Sequence, residues 1–403
     1  MSKFANSILA GAVAALPFVS TASDAKAYQV SAERDRPSAI SAIGERLHKF
    51  IDDREVSGAV TLVATPERIV HLGATGSADI GAGKPMRPDT IFWIASMTKP
   101  ITATAVLMLQ EEGKLSVDDP VEKHLPEFSS LKTADGKPVR VTIRHLLTHT
   151  SGMSEISPAE ARDIKNLAGV IPLYVAKPVK FEPGTKWVYC QSGINTAARI
   201  VEVASGATFD EFVERRLFGP LGMKDTTFYL TESQLPRLAQ SYRRTDRGEL
   251  TSTAISILNG KNPTSRDRFP AANGGLFSTA PDYARFCQMI LNGGEYEGRR
   301  FLKSESVQLM TTVQTGDLKT GFTPGNGWGL GWCVIREPQG VTAMLSAGTF
   351  GHGGAYGTQA WIDAGKKRIY ILMIQRADFS NSDQSEVRRA FQEAANAAVD
   401  GVK

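Results

Sequence analysis

The sequence predicts an α/β (α+β) fold in which one antiparallel sheet, assembled from both ends of the chain and flanked by helices, adjoins a mainly helical lobe. Strand-like runs occur near both ends of the 403 residues, and helical, loop-rich sequence fills roughly residues 115–320. Internal repeats and low-complexity linkers are absent from the sequence. We therefore expect residues 36–95 and 325–403 to form a discontinuous α/β lobe, residues 96–324 a mainly helical lobe, and the active site to lie in the cleft between them.

The first 27 residues have the features of an export signal. Lys3 provides a positive start, residues 8–19 form an almost uninterrupted apolar run, and "AKA" at residues 25–27 offers the small-x-small pattern of a signal-peptidase site. The apolar run is shorter than the roughly 20 residues that a transmembrane helix needs. We predict a signal peptide over residues 1–27, cleavage before Tyr28 and a periplasmic or secreted bacterial protein, with a short membrane anchor as the alternative.

Periodicity predicts the elements that open and close the fold. Ile40, Ile43, Leu47 and Ile51 recur at helical spacing in "PSAISAIGERLHKFIDD", which predicts an amphipathic helix. The β-rich runs "GAVTLVAT" and "ERIVHLG" flank Pro66 and predict a hairpin. Near the other end, "GWGLGWCVI", "GGAYGTQAWID" and "KRIYILMIQ" alternate or run apolar and predict the strands that complete the sheet.

Start and stop signals predict the remaining helices. The apolar helix of "SMTKPITATAVLMLQEEG" ends at Gly113, a common C-terminal residue. "DDPVEKHL" predicts a helix with Asp119 as N-cap, Pro120 in the first turn and Glu122 completing a capping box. "ATFDEF" and "STAPDYARFCQMIL" mark two more helix starts, and a last helix is expected from about Asp383 to Val399.

Composition restricts the class of partner. The 46 Lys and Arg are interspersed with 42 Asp and Glu, which leaves a net charge of +4. No nucleic-acid-binding surface is indicated, so a small molecule or peptide is the expected partner. The six histidines lack the paired spacing of metal ligands, and we expect neither a metal nor a cofactor. Three cysteines are an odd number and predict no disulfide framework.

A serine and a lysine three residues apart, in "FWIASMTKPI", are the main candidates for chemistry. Residues at this spacing share a helix face, so Lys99 can reach the Ser96 hydroxyl. A serine needs a base, and a lysine serves only when burial or a helix dipole lowers its pKa. Free N–H groups at the helix start can stabilise an oxyanion near Ser96. For an isolated S-x-x-K pattern, a capping serine and a surface lysine are the alternative.

Further blocks accompany this pattern. In order, they are "FWIASMTKPITA", "KLSVDDPVEKHLPEF", "VTIRHLLTHTSGM", "PLGMKDTTF", "GGLFSTAPDYARF" and "FGHGGAYGTQAWID". Together they resemble the serine β-lactamase-related hydrolases, the superfamily of class C β-lactamases, DD-peptidases and β-lactamase-like carboxylesterases. The resemblance runs from about Ser38 to the C-terminus. It implies a β-lactamase/transpeptidase-like fold and acyl-enzyme chemistry.

The resemblance also implies a partner for the lysine in proton transfer. "WVYCQSGINTAARIVE" matches the Y-x-N pattern of the family, which makes Tyr189 that partner and places Gln191 where the family usually has asparagine. Nearby positive charge is expected to stabilise the Tyr189 phenolate. Glutamine keeps an amide one methylene further out, so binding of a substrate amide is the property that this replacement affects.

A third block supplies the strand beside the cleft. His352, Gly353 and Gly354 match the K-T-G or H-x-G pattern of relatives, and the resemblance implies that the Ala355 N–H is the second oxyanion donor. The glycines are expected to let a substrate lie close to the strand backbone. Because His352 replaces a lysine, the fixed positive charge is weaker, and efficient β-lactamase action is not favoured.

These features predict an exported serine hydrolase that acts through an acyl-enzyme on an ester or a D-amino-acid amide or peptide. A β-lactamase or DD-peptidase is the alternative within the enzymes. A non-hydrolytic penicillin- or peptidoglycan-binding sensor is the alternative from another class, suggested by Gln191 and Cys190. Cys190 itself has no sequence neighbour that would make it a nucleophile. His145 and His149 are predicted to brace the cleft wall.

Overall fold

The computed structural model describes residues 37–400, which contain both helices and strands. The α-helices are α1 (Pro37–Asp52), α2 (Thr98–Glu111), α3 (Ile143–Leu147), α4 (Pro158–Ala161), α5 (Leu167–Val175), α6 (Gln191–Ser205), α7 (Phe209–Val213), α8 (Gly219–Leu221), α9 (Ala280–Leu291), α10 (Ser304–Thr311) and α11 (Glu386–Asp400). The strands are β1 (Gly58–Ala64), β2 (Ile69–Asp79), β3 (Lys84–Pro85), β4 (Phe92–Trp93), β5 (Ser241–Arg244), β6 (Leu250–Thr253), β7 (Phe277–Ser278), β8 (Glu295–Tyr296), β9 (Arg299–Arg300), β10 (Asn326–Trp328), β11 (Cys333–Ile335), β12 (Phe350–Gly353), β13 (Gln359–Asp363) and β14 (Arg368–Met373).

One antiparallel sheet joins the two ends of the described chain. Its strands run in the order β10-β11-β12-β13-β14-β1-β2-β3, so the N-terminal hairpin β1-β2 pairs with the C-terminal strand β14. In this pairing Val60 lies opposite Met373, and Leu62 lies opposite Ile371. The predicted hairpin and the predicted sheet from both chain ends are confirmed.

The two faces of the sheet lie in different hydrophobic cores. Along β1, Ala59 and Val63 belong to the core of the terminal helices α1 and α11, whereas Val60 and Leu62 belong to the core that contains α2 and α9. All seven residues of β1 are buried, as is usual for a strand covered on both faces. Helices therefore hold the sheet from both sides, which makes it a rigid support for the end of β12.

Most of the predicted helices form. Helix α1 buries Ile43 and Leu47 completely and leaves Ile51 partly buried, as the amphipathic pattern requires. Helix α2 ends at Glu111, and Gly113 beyond it has a φ of +70°. Helices α7 and α9 form at the predicted starts, and α11 begins at Glu386, three residues later than expected.

The prediction of a helix at "DDPVEKHL" is wrong. A single 3-10 turn, Val121–Lys123, forms there, with Pro120 in extended conformation before it. The Asp119 carboxylate does not cap this turn, because it accepts hydrogen bonds from the Ser116 N–H at 2.9 Å and from His124 Nε2 at 2.9 Å. These contacts hold the segment in a loop conformation.

The described residues form one compact unit, and the division into lobes at residues 95/96 and 324/325 stays a prediction. Between residues 37 and 400, no helix combines the length and the apolar character needed to cross a bilayer. The predicted signal peptide lies outside the described residues.

Candidate active site

Ser96 lies in a 3-10 turn, Ala95–Met97, that directly precedes α2. Ala95 has a φ of +46°, a left-handed conformation that costs a non-glycine residue about 1–3 kcal/mol. The Thr98 hydroxyl holds this turn, since it donates to the Ala95 carbonyl at 2.7 Å and accepts from the Leu276 N–H at 3.2 Å. Ser96 is half-buried between buried neighbours. The strained turn therefore presents the serine at the surface of the core.

Lys99, the second residue of α2, is fully buried. Its Nζ lies 3.0 Å from Ser96 Oγ and 2.6 Å from the Asn273 carbonyl oxygen. Burial lowers the pKa of Lys99 from its ordinary value of 10.5 to about 7, and the negative charge of Glu155 opposes this decrease. The expected shielded amine is confirmed. With its pKa lowered this far, Lys99 can lose its proton near neutral pH and accept the serine proton.

Tyr189 lies beside the same pair. Lys99 Nζ lies 4.6 Å from the centre of the Tyr189 ring, and the Tyr189 hydroxyl lies 3.5 Å from His352 Nε2. Burial raises the pKa of the Tyr189 phenol well above its ordinary value of 10, and a hydrogen bond with Ser96 offsets this only in part. The expectation of a stabilised phenolate is therefore wrong, because burial outweighs the hydrogen bond with Ser96 and the nearby negative charge of Asp383 adds to the increase in the pKa. Tyr189 keeps its proton and is suited to donate it.

His352 is buried and neutral. Its Nδ1 lies 2.7 Å from the Gly353 carbonyl oxygen, which can only accept, so Nδ1 carries the proton and Nε2 faces the Tyr189 hydroxyl as an acceptor. Burial, and then the nearby Lys99, lower the pKa of His352 from 6.5 to about 3. His352 thus supplies no fixed positive charge at neutral pH, in agreement with the weaker charge expected from its replacement of lysine.

The two glycines after His352 are required by packing within the protein. A Cβ on Gly353 would lie 2.6 Å from Gln359 Nε2 and would also overlap the Asp383 carboxylate. A Cβ on Gly354 would lie 2.6 Å from the Ile94 carbonyl oxygen, two residues before Ser96. The end of β12 therefore packs directly against the segment that leads into the serine turn. Ala355 follows in an exposed turn.

Gln191 begins α6 and is connected to Lys99 through Asn273. Its Oε1 accepts from Asn273 Nδ2 at 3.0 Å, while the Asn273 carbonyl accepts from Lys99. The backbone N–H groups of Gln191 and Ser192 donate to the Glu155 carboxylate, the latter at 3.1 Å. Glu155 thus caps α6 from a distant loop and places negative charge near the amine.

Glu155 and Asn273 are absent from the residues predicted from sequence. Glu155 lies 36 residues before the helix that it caps, so no local capping pattern identifies it. Asn273 contributes its backbone carbonyl, a group that every residue has. The short polar run "AANGG" gives a turn signal but no indication of its contact with Lys99.

Cys190 is a structural residue. Its N–H donates to His149 Nδ1 at 3.1 Å, and its Sγ accepts from the Gly193 N–H at 3.4 Å as the N-cap of α6. Burial raises the pKa of Cys190 to about 11, which disfavours the reactive thiolate. His149 braces the segment that carries Tyr189, as predicted, since its ring centre lies 4.5 Å from that of Tyr189. The His145 Nδ1 accepts from the Thr142 N–H at 3.3 Å in the cap of α3, and its role in the cleft wall stays a prediction.

The other two cysteines are also buried residues of the core. Cys287 in α9 and Cys333 in β11 are buried and free. Within residues 37–400, no group of three or more His, Cys, Asp or Glu side chains is placed to hold a metal ion.

Comparison with known sequences gives consistent results. A family model described as Beta-lactamase matches residues 43–395. Protein Rv1367c of Mycobacterium tuberculosis is 34% identical over 358 residues, which cover 82% of this chain and 88% of that protein. Esterase EstB of Burkholderia gladioli is 30% identical over 370 residues, which cover 84% of this chain and 91% of the esterase.

Solved structures share the fold. EstCE1, described as a hydrolase with promiscuous acyltransferase activity, superposes with a TM-score of 0.77 at 24% identity, over 89% of this chain and 99% of its own. A penicillin-binding protein homologue from Caulobacter crescentus gives a TM-score of 0.73 at 22% identity, over 90% of this chain and 98% of its own. The expected β-lactamase/transpeptidase-like fold is confirmed.

Proposed function

Because this chain belongs to the Beta-lactamase family, whose members are serine hydrolases, we propose that it is an exported hydrolase that cleaves an ester, or a D-amino-acid amide or peptide, through an acyl-enzyme on Ser96. One observation carries the proposal: a half-buried hydroxyl lies 3.0 Å from a buried amine, and the same amine lies 4.6 Å from the centre of a phenol ring. Burial lowers the pKa of the amine to about 7 and raises the pKa of the phenol, which suits them to act as base and acid. A protein that only binds a ligand needs none of these properties.

The first step is acylation of the serine. Neutral Lys99 accepts the Ser96 proton while Oγ forms a bond to the substrate carbonyl carbon, and the carbonyl electron pair moves onto oxygen. The N–H groups of Ser96 and Ala355 stabilise this oxyanion. As the intermediate collapses, the carbonyl re-forms and the bond from its carbon to the leaving oxygen or nitrogen breaks. Tyr189 gives its proton to that leaving atom and recovers one from the Lys99 ammonium.

The second step is hydrolysis of the acyl-enzyme. Water attacks the ester carbonyl and gives its proton to Lys99, which is neutral again after the first step. The bond from the carbonyl carbon to Ser96 Oγ then breaks, the Lys99 ammonium returns its proton to the serine oxygen, and the free acid leaves. Each residue returns to its starting state.

Charge in the site favours a neutral ester over a penicillin-type lactam. His352 is neutral and occupies the position of the family lysine, so the carboxylate of a penicillin would meet no permanent cation there. The Gln191 amide oxygen is already bonded to Asn273. Similarity to an esterase supports the same choice of substrate class.

The direct test compares wild type with Ser96→Ala on p-nitrophenyl acetate and butyrate. We expect the variant to lose at least about 1,000-fold in kcat/KM, the loss typical for a removed nucleophile. Ser129→Ala, at an exposed serine outside the site, is the matched control and should keep the wild-type rate. Equal rates in wild type and Ser96→Ala would exclude the proposed mechanism.

The same preparations separate the alternatives. Nitrocefin turnover measures β-lactamase action, and release of D-alanine from a D-alanyl-D-alanine peptide measures DD-peptidase action. Intact-mass spectrometry after each incubation detects a stable adduct. An adduct without turnover on any of these substrates would identify a sensor and contradict the hydrolase proposal.

A further inference from the structure

Phe322 exposes an unusually large apolar surface beside the candidate active site. The residue is 46% exposed and lies in a loop that leads to β10. Its ring centre lies 5.1 Å from that of Tyr189 and 6.1 Å from that of Trp187, with T-shaped geometry in both pairs. Such edge-to-face contacts stabilise the position of an aromatic ring. Phe322 therefore packs against Tyr189, the residue proposed to protonate the leaving group.

The backbone of Phe322 is held from the other side. Asn381 Nδ2 donates to the Phe322 carbonyl at 2.7 Å, and Gln384 Nε2 donates to the same oxygen at 3.0 Å. Two side-chain amides on one carbonyl fix the loop at this residue. An exposed phenyl group on a mobile loop needs no functional explanation, but one that is fixed from both sides forms a defined surface.

The surface continues into a buried aromatic cluster. Trp187 lies 5.2 Å from Trp328 between ring centres, and Trp328 lies 5.5 Å from His352. Trp328 is almost fully buried, so it supports Trp187 and Tyr189, the two rings on which Phe322 packs, from within the sheet. His352 is neutral, and the wall formed by Phe322 and Trp187 carries no charge of its own. A charged or strongly hydrated group gains little from such a surface.

The position of Phe322 and Trp187 relative to the reacting groups decides which part of a substrate these two rings contact. Tyr189 must lie within hydrogen-bond reach of the leaving-group oxygen to protonate it. Phe322 and Trp187 pack on Tyr189, so a group attached to that oxygen can lie against their rings. Resting on the proposed function, we propose that Phe322 and Trp187 form the binding subsite for the leaving alcohol and select esters whose alcohol carries an aromatic ring.

Benzyl acetate and ethyl acetate test this subsite, since they share an acyl group and both release a primary alcohol. Hydrolysis is followed by acid release for wild type, Phe322→Ala and Phe322→Tyr. We expect Phe322→Ala to lower the ratio of kcat/KM for benzyl acetate to kcat/KM for ethyl acetate by about tenfold, a typical effect of a lost aromatic pair, while a change shared by both esters reports on the position of Tyr189. Phe322→Tyr retains the ring and should keep the wild-type ratio between the two esters.

Matched controls come from exposed apolar residues elsewhere. Ile80 is 48% exposed and Val203 is 44% exposed, and Ile80→Ala and Val203→Ala should leave the ratio unchanged. The double variant Asn381→Ala/Gln384→Ala keeps the phenyl ring but releases its carbonyl, so it should lower the benzyl-to-ethyl ratio part of the way. Benzyl alcohol should inhibit wild type more strongly than Phe322→Ala.

The outcomes separate this inference from the proposed function. Loss of ethyl acetate hydrolysis in Ser96→Ala, together with an unchanged benzyl-to-ethyl ratio in Phe322→Ala, would overturn the subsite and leave the hydrolase proposal intact. A Phe322 effect confined to ethyl phenylacetate, where the ring lies on the acyl side, would overturn the assignment to the leaving alcohol. Absence of Ser96-dependent hydrolysis on both acetates would contradict the proposed ester hydrolase itself.

Discussion

Lys99 Nζ lies 3.0 Å from Ser96 Oγ, with the amine completely buried and the hydroxyl only partly so. Burial removes water from the amine and lowers its pKa to about 7, which changes a permanent cation into a base. The hydroxyl stays within reach of a substrate. This pair accounts for the proposed chemistry, and it has consequences that can be measured.

The first consequence concerns pH. Protonated Lys99 cannot accept the Ser96 proton, so kcat/KM should rise as the pH increases through about 7, the pKa of this amine in the free protein. Hydrolysis of p-nitrophenyl acetate, corrected for its spontaneous rate, measures the profile. A rate that does not change between about pH 5 and 9 would exclude Lys99 as the base.

The second prediction concerns the phenol. Tyr189→Phe keeps the ring and its packing but removes the donated proton, so kcat should fall by about 100- to 10,000-fold, the usual contribution of a general acid or base. Tyr174→Phe is the matched control, because that buried hydroxyl accepts from Asn195 Nδ2 at 3.0 Å and has no proposed catalytic role. Similar kcat values for both variants would remove the Tyr189 hydroxyl from the mechanism.

The third prediction concerns Glu155. Its negative charge raises the pKa of Lys99, opposing the effect of burial. Glu155→Gln removes that charge, so the pKa of Lys99 should decrease and the rising limb of the pH profile should move to lower pH. Glu127→Gln, at an exposed glutamate, should leave the limb in place. A limb that moves to higher pH in Glu155→Gln would contradict the assigned electrostatic effect.

The fourth prediction concerns stability. Gly353→Ala places a Cβ against Gln359 and Asp383 in a packed site, and overpacking of this kind costs about 1–3 kcal/mol in free energy of unfolding. Gly44→Ala is the matched control, because no atom lies within 4 Å of the added Cβ in helix α1, and it should stabilise the protein by about 0.5–1 kcal/mol. Denaturant unfolding measures both. Equal effects of the two substitutions would contradict the packing account.

Patterns that depend on neighbours in sequence predicted much of the fold. Apolar periodicity identifies α1, because one face of this helix packs against the core of the terminal helices, and it identifies β1, because its alternate residues pack against two different cores. The failure at "DDPVEKHL" has a physical cause. Asp119 has the right residue type for a cap, but its carboxylate bonds to Ser116 and His124 instead.

In the site, too, local sequence patterns predict some features and contacts between distant segments determine the others. Ser96 and Lys99 are three residues apart, so sequence spacing alone brings them together, and the apolar helix predicts the burial of the amine. Burial of Tyr189 depends on rings from distant segments, such as Trp328, and its raised pKa could not be predicted from its neighbours. The contact of Asn273 with Lys99 joins residues 174 positions apart, which local patterns do not reveal.

Covalent labelling of the serine tests the central claim most directly. Wild type and Lys99→Met are incubated with diethyl p-nitrophenyl phosphate, which phosphorylates activated serines, and the modified peptide is mapped by mass spectrometry. We predict an adduct on Ser96 in wild type and a labelling rate reduced by at least about 100-fold in Lys99→Met, since the base is removed. An adduct on another residue, or equal labelling of Ser96 in both proteins, would contradict the account.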